Sequence, residues 1–220
     1  NCLPDSVEAI LINSYNFTPE LLRRLMDREI RVVHRLDGPI QTYRGFDDGT
    51  DLLIYELNRE FAAASIFQSV FSREENRKLG FELAAGPIIY NAADPRIFQR
   101  KENCDFPVRA KVRVVAASWS DNPNKGLDVF RWIDANLDHS RFEFTFVGRA
   151  QMDFRNCRHL PALPSAQLAE ELQRHDIFLA ASLNDPCSNS VIEALTIGLP
   201  CVYRKSGGHP ELVGEAGVGF

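Results

Sequence analysis

The chain has 220 residues, 45% hydrophobic and 25% charged, with a formal charge of −5. That composition suits one large globular domain or two small ones. The acidic balance argues against a general nucleic-acid binder, which would carry a basic stripe, and no apolar run reaches the roughly 18–20 residues of a membrane span.

The first strand expected is Ala9–Ile12. Thr18-Pro19-Glu20 then opens a helix, with a capping hydroxyl, proline at the first helical position and an acid behind it. Ile30–His34 reads as a strand. Asp51–Ala64 carries apolar residues at helical spacing (Leu53, Leu57, Phe61, Ala64), with a strand at Ile66–Phe67 behind it. A shorter helix over Ser72–Leu79 and a strand over Pro87–Tyr90 close the first block. Gln99–Pro107 is polar and aperiodic and reads as a linker. Beyond it come strand Val112–Ala116, helix Gly126–Leu137, strand Phe142–Val147, a short strand at Cys157–Leu160, helix Ser165–Arg174, strand Ile177–Ala180, helix Asn189–Ile197 and strand Pro200–Tyr203. Strands alternating with helices predict parallel sheets covered on both faces. The expected fold class is α/β, with two Rossmann-like doubly wound domains: a partial one over residues 1–105 and a second over 106–220. Asn1 and Phe220 both read as cut ends, so a fragment of a longer protein is expected.

The five cysteines (Cys2, Cys104, Cys157, Cys187, Cys201) are odd in number and form no CxxC pair. They point to reduced thiols and a cytoplasmic protein rather than to disulfides or structural zinc. Asn16-Phe17-Thr18 fits the glycosylation acceptor pattern, which matters only in a secreted chain.

In doubly wound sheets ligands bind beyond the carboxyl ends of the strands, so the loops after the strands of the second block carry the functional reading. After Ile177–Ala180 comes Asn184-Asp185-Pro186-Cys187-Ser188-Asn189-Ser190, then Val191-Ile192-Glu193-Ala194-Leu195. The helix that begins there presents unpaired N–H groups and a positive dipole end, an anion site. Asp185 before it and Glu193 about one turn into it are placed to grip hydroxyls rather than phosphate. Lys125, in Asn122-Pro123-Asn124-Lys125-Gly126, sits where an ammonium neutralises a pyrophosphate, and Gly126 permits close backbone approach. Gly207 and Gly208, in Ser206-Gly207-Gly208-His209-Pro210-Glu211, are expected to offer consecutive N–H groups to anionic oxygens.

On these residues the chain resembles the family-4 retaining glycosyltransferases of the GT-B fold (group 1). The family's acid, seven residues, Glu run corresponds to Asp185 through Glu193, followed by Ala194-Leu195-Thr196-Ile197-Gly198-Leu199-Pro200. Lys125-Gly126, Phe146-Val147-Gly148, Gly207 to Glu211, and Asn91-Ala92-Ala93-Asp94-Pro95-Arg96-Ile97-Phe98 match further motifs in the family's order. Val33-His34-Arg35-Leu36-Asp37-Gly38-Pro39 resembles its His-bearing loop. The resemblance implies transfer of a hexose-type sugar from a nucleoside diphosphate to a saccharide or other hydroxyl acceptor, with retention and with no metal or cofactor. It implies Lys125, Asp185 and His34 as catalytic residues. Donor binding would fall to Glu193, Ser188, Asn189, Ser190, Gly207, Gly208, His209, Gly126 and Ser118. Glu193 would hold ribose hydroxyls, Asp185 hydroxyls of the sugar, and Lys125 the departing diphosphate.

Two departures stand out. The first acid is Asp185, one methylene shorter than the family's Glu, and Ser118-Trp119-Ser120-Asp121 lacks the basic residue that usually precedes the Lys. Plainer readings stand beside the functional ones. Glu193 can serve the helix dipole, Asp185 the turn before Pro186, and His34 a satisfied core position. His209 reads as a cleft residue of open role. Trp119 either packs beside the nucleotide or fills the strand end. A GT-B epimerase and a non-catalytic nucleotide-sugar-binding remnant are the competing functions.

Overall fold

The computed structural model describes residues 6–100 and 111–220. They form two compact units that divide between Tyr90 and Asn91. Most of the linker expected at Gln99–Pro107 lies outside the described residues.

In the first unit three parallel strands, β1 (Ala9–Asn13), β2 (Arg31–Leu36) and β3 (Ala62–Phe67), lie in the order β1-β2-β3. Helix α1 (Pro19–Met26) begins as its sequence requires: Thr18 is the N-cap, its hydroxyl accepts the Leu21 N–H, and Pro19 holds the first turn. Its Leu22 and Leu25 pack with Ile12, Val32, Leu57 and Phe61 into one core. Helix α2 (Ile40–Arg44), unforeseen, is short and is capped from outside, because both Asp51 carboxylate oxygens accept its first N–H groups. Helix α3 (Thr50–Phe61) stops three residues earlier than expected. Ala62–Ala64 belong to β3 instead, since alanine suits either state and the pairing with β2 decides. Helix α4 (Val70–Lys78) starts earlier than expected, on an N-cap made by Ser69.

The strand expected at Pro87–Tyr90 is reduced to one bridge, Phe67 to Ile88. Residues 85–89 run beside β3 and exchange bonds with it through Ala85, Pro87 and Ile89. Pro87 has no N–H to return to the ladder, and a Cβ on Gly86 would lie 1.5 Å from the Ser65 oxygen.

The second unit holds six parallel strands: β4 (Val112–Ser118), β5 (Phe142–Gly148), β6 (Arg158–Leu160), β7 (Ile177–Ala180), β8 (Cys201–Tyr203) and β9 (Gly217–Gly219). Their order is β6-β5-β4-β7-β8-β9. Counted within the unit this is 3-2-1-4-5-6, the doubly wound arrangement whose direction reverses between its first and fourth strands. Helix α5 (Leu127–Asn136) covers one face through Phe130, against Phe144, Phe146 and Leu179. Helices α6 (Ser165–Gln173) and α7 (Asn189–Ile197) cover the other with Leu168, Leu172, Val191 and Ile197, against Val115, Val147 and Phe178. Helix α8 (His209–Val213) and β9 follow the last element the sequence predicts. Among the described residues no helix is long and apolar enough to cross a membrane.

The expected α/β class with parallel sheets is what forms. The reversal between β4 and β7 brings the loops after those two strands side by side.

Candidate functional site

The loop after β4 ends in a 3-10 turn, Pro123–Lys125, held by the Asn122 side chain, which accepts the Asn124 N–H. Gly126 follows with φ of 100°, and a Cβ there would come within 2.5 Å of Ala181 Cβ. The turn therefore lies against the chain leaving β7, and the Leu183 N–H donates to the Asn124 oxygen at 2.6 Å. This seating delivers Lys125 to Asp185: Nζ lies 2.7 Å from Oδ2. The Asp185 side chain is only 8% exposed, and its Oδ1 also accepts the Cys187 N–H. Sequence reasoning gave the two residues separate roles, with Lys125 on phosphate and Asp185 on the sugar. In the structure they are one ion pair, so Asp185 also aims the ammonium.

Gly207 and Gly208 serve this loop differently from what was expected. The Gly208 N–H is already spent on the Asp185 oxygen at 2.8 Å. A Cβ on Gly207 would lie 2.3 Å from that same oxygen, and one on Gly208 would lie 2.4 Å from the Pro186 oxygen. The glycines let two backbones touch. The Ser206 hydroxyl completes the clamp, accepting the Asn184 N–H and donating to its side chain.

Helix α7 follows, with Ser188 as the residue before its first turn. The Ser188 hydroxyl does not cap the helix; it meets the Ser190 hydroxyl at 3.1 Å. Asn91 staples the mouth from outside. Its side-chain amide donates to the Cys187 oxygen and to Asn189 Oδ1, and its N–H reaches the Cys187 sulfur. Among the described residues the N–H groups of Asn189, Ser190 and Val191 have no hydrogen-bond partner. These are the orphan donors at the positive end of a helix.

Glu193 lies in the second turn of α7, beyond the first turn where an acid answers the dipole. It is half-buried and has no hydrogen-bond partner among the described residues. Burial alone pushes its carboxyl up to about 7.

Three expected site residues lie elsewhere or are occupied. His209 is fully buried: Nδ1–H donates to the Arg204 oxygen, and Nε2 then accepts from the Ser182 hydroxyl. Burial holds its pKa below the usual imidazole value. The Ser118 hydroxyl is engaged in a local turn with the Ser120 oxygen and N–H. His34, in the first unit, is also fully buried. Its Nε2–H donates to the Ser14 oxygen at 2.8 Å, and Nδ1 accepts from the Asn58 amide, which also reaches Ser65. Desolvation lowers its pKa and keeps it neutral. Asp37 accepts from Arg35 and Gln68, and so orders the loop rather than hydrogen-bonding the ring.

Sequence reasoning missed Arg149, the residue after β5. Its N–H is tied to the Ser118 oxygen, and it lines a depression with Ser120, Asp121, Asn122 and Lys125. Among the described residues its guanidinium has no hydrogen-bond or ion-pair partner. The parallel pairing of β4 with β5 sets Arg149 beside the stretch 118–121, which no linear motif reveals.

The α/β fold with its parallel sheets matches that of GT-B glycosyltransferases. The model of the family described as group 1 glycosyl transferases matches residues 111–220, half of the chain, and the chain belongs to that family. Solved structures share the fold at low identity. One is Anabaena HepE in complex with UDP and glucose (TM-score 0.71, 19% identity, 96% of this chain and 63% of that one). Another is the sucrose-phosphate synthase of Thermosynechococcus elongatus (TM-score 0.72, 15% identity, 96% and 60%). A third is the catalytic domain of Arabidopsis thaliana starch synthase IV bound to ADP and acarbose (TM-score 0.65, 14% identity, 93% and 58%). The chain thus spans about three fifths of the length of these proteins. No curated protein matches it in sequence.

Proposed function

We propose that this chain carries the donor site of a retaining glycosyltransferase, which moves a hexose-type sugar from a nucleoside diphosphate to a hydroxyl acceptor. The observation that carries the reading is the mouth of α7. Three N–H groups there are unpartnered among the described residues, the Lys125–Asp185 pair stands on the adjoining loop, and a half-buried Glu193 waits without a partner one turn along.

Each feature has a chemical use. When the bond between the anomeric carbon and the diphosphate oxygen breaks, negative charge grows on the leaving group. The N–H groups at Asn189 and Ser190 and the Lys125 ammonium answer that charge, which is electrostatic catalysis worth a few kcal/mol per well-placed donor. Glu193, too deep in the helix to meet the phosphates, takes the ribose hydroxyls. Its raised pKa is the signature of a carboxyl that lacks such partners. Asp185 holds Lys125 in line and keeps lone pairs for a sugar hydroxyl. The HepE and starch synthase structures hold UDP and ADP, and the same ligand class is the one we assign here.

Calorimetry tests the reading. A nucleoside diphosphate is expected to bind the wild-type chain, and Glu193→Ala to weaken it at least tenfold. Equal affinity in the two proteins removes Glu193 from the site. A second reading, a nucleotide-sugar-binding remnant, draws on the ion pair itself, because Asp185 neutralises part of the charge Lys125 would offer a leaving group. Transfer or hydrolysis of a labelled nucleotide sugar distinguishes the two.

A further inference from the structure

The first unit holds a cavity of about 510 Å3 that the donor site does not use. Small-molecule sites run from roughly 300 to 1,000 Å3, so it has room for a ligand of monosaccharide size or larger. One wall is α4, through Arg73 and Arg77, which stand four residues apart and so on one face of the helix. The other is the segment 80–86. It leaves α4 at Gly80, where φ is 79°, and turns back to run beside β3. Phe67, Phe81 and Leu83 give the lining its apolar part. Phe81 is held by stacking on Tyr55 of α3, with ring centroids 4.7 Å apart. Ala84 is held by its N–H, which donates to Asn58 Oδ1 at 2.8 Å.

The charges of this lining are unevenly answered. Arg73 donates through Nε, and Arg77 through Nη1, to one and the same carboxylate, Glu74. Both outer nitrogens of Arg73, and Nε and Nη2 of Arg77, have no partner among the described residues. The N–H groups of Glu82, Leu83 and Gly86 have none there either. The lining is therefore rich in donors, and guanidinium forks match the oxygens of a phosphate. Its one carboxylate, Glu82, is exposed and makes no hydrogen bond or ion pair among the described residues. A carboxylate accepts from hydroxyls and opposes a bare anion, so the lining as a whole suits an anion that carries hydroxyls. We infer that this cavity binds a phosphate monoester of a small polyhydroxylated molecule, of the hexose phosphate class. Arg73 and Arg77 take the phosphate oxygens, Glu82 takes hydroxyls, and Phe81 and Leu83 lie against the carbon face of the ring. The site is built from the first unit alone and does not depend on the donor reading.

Calorimetry and amide hydrogen exchange with glucose-6-phosphate, inorganic phosphate and glucose test the inference. Glucose-6-phosphate is expected to bind saturably and to slow exchange across 80–86, with inorganic phosphate weaker and glucose weaker still. Arg73→Gln/Arg77→Gln is expected to weaken glucose-6-phosphate by about tenfold or more, since charge-assisted bonds are lost. Glu74→Gln removes the competing charge and is expected to tighten it severalfold, a gain that a folding defect cannot mimic. Equal affinity in the double variant, no gain in Glu74→Gln, or protection confined to the second unit overturns the inference. Inorganic phosphate binding as tightly as glucose-6-phosphate overturns the assignment of a hydroxyl-bearing ligand. Nucleoside diphosphate affinity is expected to be the same in all these proteins, so failure here leaves the donor reading standing.

Discussion

Replacing Glu193 with glutamine should make the second unit more stable at pH 8 while weakening its hold on a nucleoside. The carboxyl rises from 4.5 to about 7 through burial alone, so the folded chain disfavours its ionised form. The sign follows from linkage: the unfolded chain ionises near 4.5 and the folded one near 7. The penalty is absent below the unfolded value, grows across the interval and is complete above 7. At about 1.4 kcal/mol per pH unit the interval corresponds to about 3 kcal/mol. Glu193 is only half-buried, and water reaching it reduces this to roughly 1–2 kcal/mol. Glu193→Gln keeps the shape and removes the charge, so it should gain that much at pH 8 and much less at pH 5. Urea unfolding followed by tryptophan emission reads this unit, since Trp119 and Trp132 both lie in it. A variant no more stable than wild type at pH 8 would refute the reasoning, because Glu193 would then already have a partner.

Other outcomes follow from the same geometry. Lys125→Ala should lower turnover more than donor binding, because leaving-group charge peaks in the transition state; it should also destabilise the second unit by about 2–3 kcal/mol by stranding the buried Asp185 carboxylate, with Lys125→Ala/Asp185→Ala recovering stability but not activity in parallel assays. Gly207→Ala should cost about 2 kcal/mol or more in thermal unfolding, since φ is 64° and the new Cβ meets the Asp185 oxygen, and it should weaken nucleotide binding by displacing Asp185. The first unit should lose stability as pH falls below about 6.5, where the unfolded chain protonates His34 and the folded core resists it; hydrogen exchange in β2 reads this, and His34→Gln should flatten the acid dependence.

The sequence made the framework of the second unit legible because its signals are local. Ile177–Ala180 and Asn189–Ile197 form with the bounds read from pattern alone, where an apolar run gives way to a turn cluster and then to helical spacing. Lys125 and Asp185, which the structure pairs, stand in the loops that lead from a strand into a helix, where turn residues mark them in the sequence. What pattern did not reveal depends on partners distant in sequence. Gly207 and Gly208 read as phosphate cradles until the Asp185–Pro186 backbone is seen against them. His209 reads as a cleft residue and His34 as either a core or a cleft one, and the partners that enclose them, Ser182, Arg204, Ser14 and Asn58, lie in other elements. Short elements such as α2 and β9 carry too little periodicity to stand out and form because Asp51 or β8 completes them.

The helix mouth can be probed directly by amide hydrogen exchange with and without a saturating nucleoside diphosphate. The account predicts slowed exchange at Asn189, Ser190 and Val191, the three donors unpartnered among the described residues, together with the Lys125–Gly126 turn. Protection confined to other segments, with these three amides exchanging at their ligand-free rates, would contradict it.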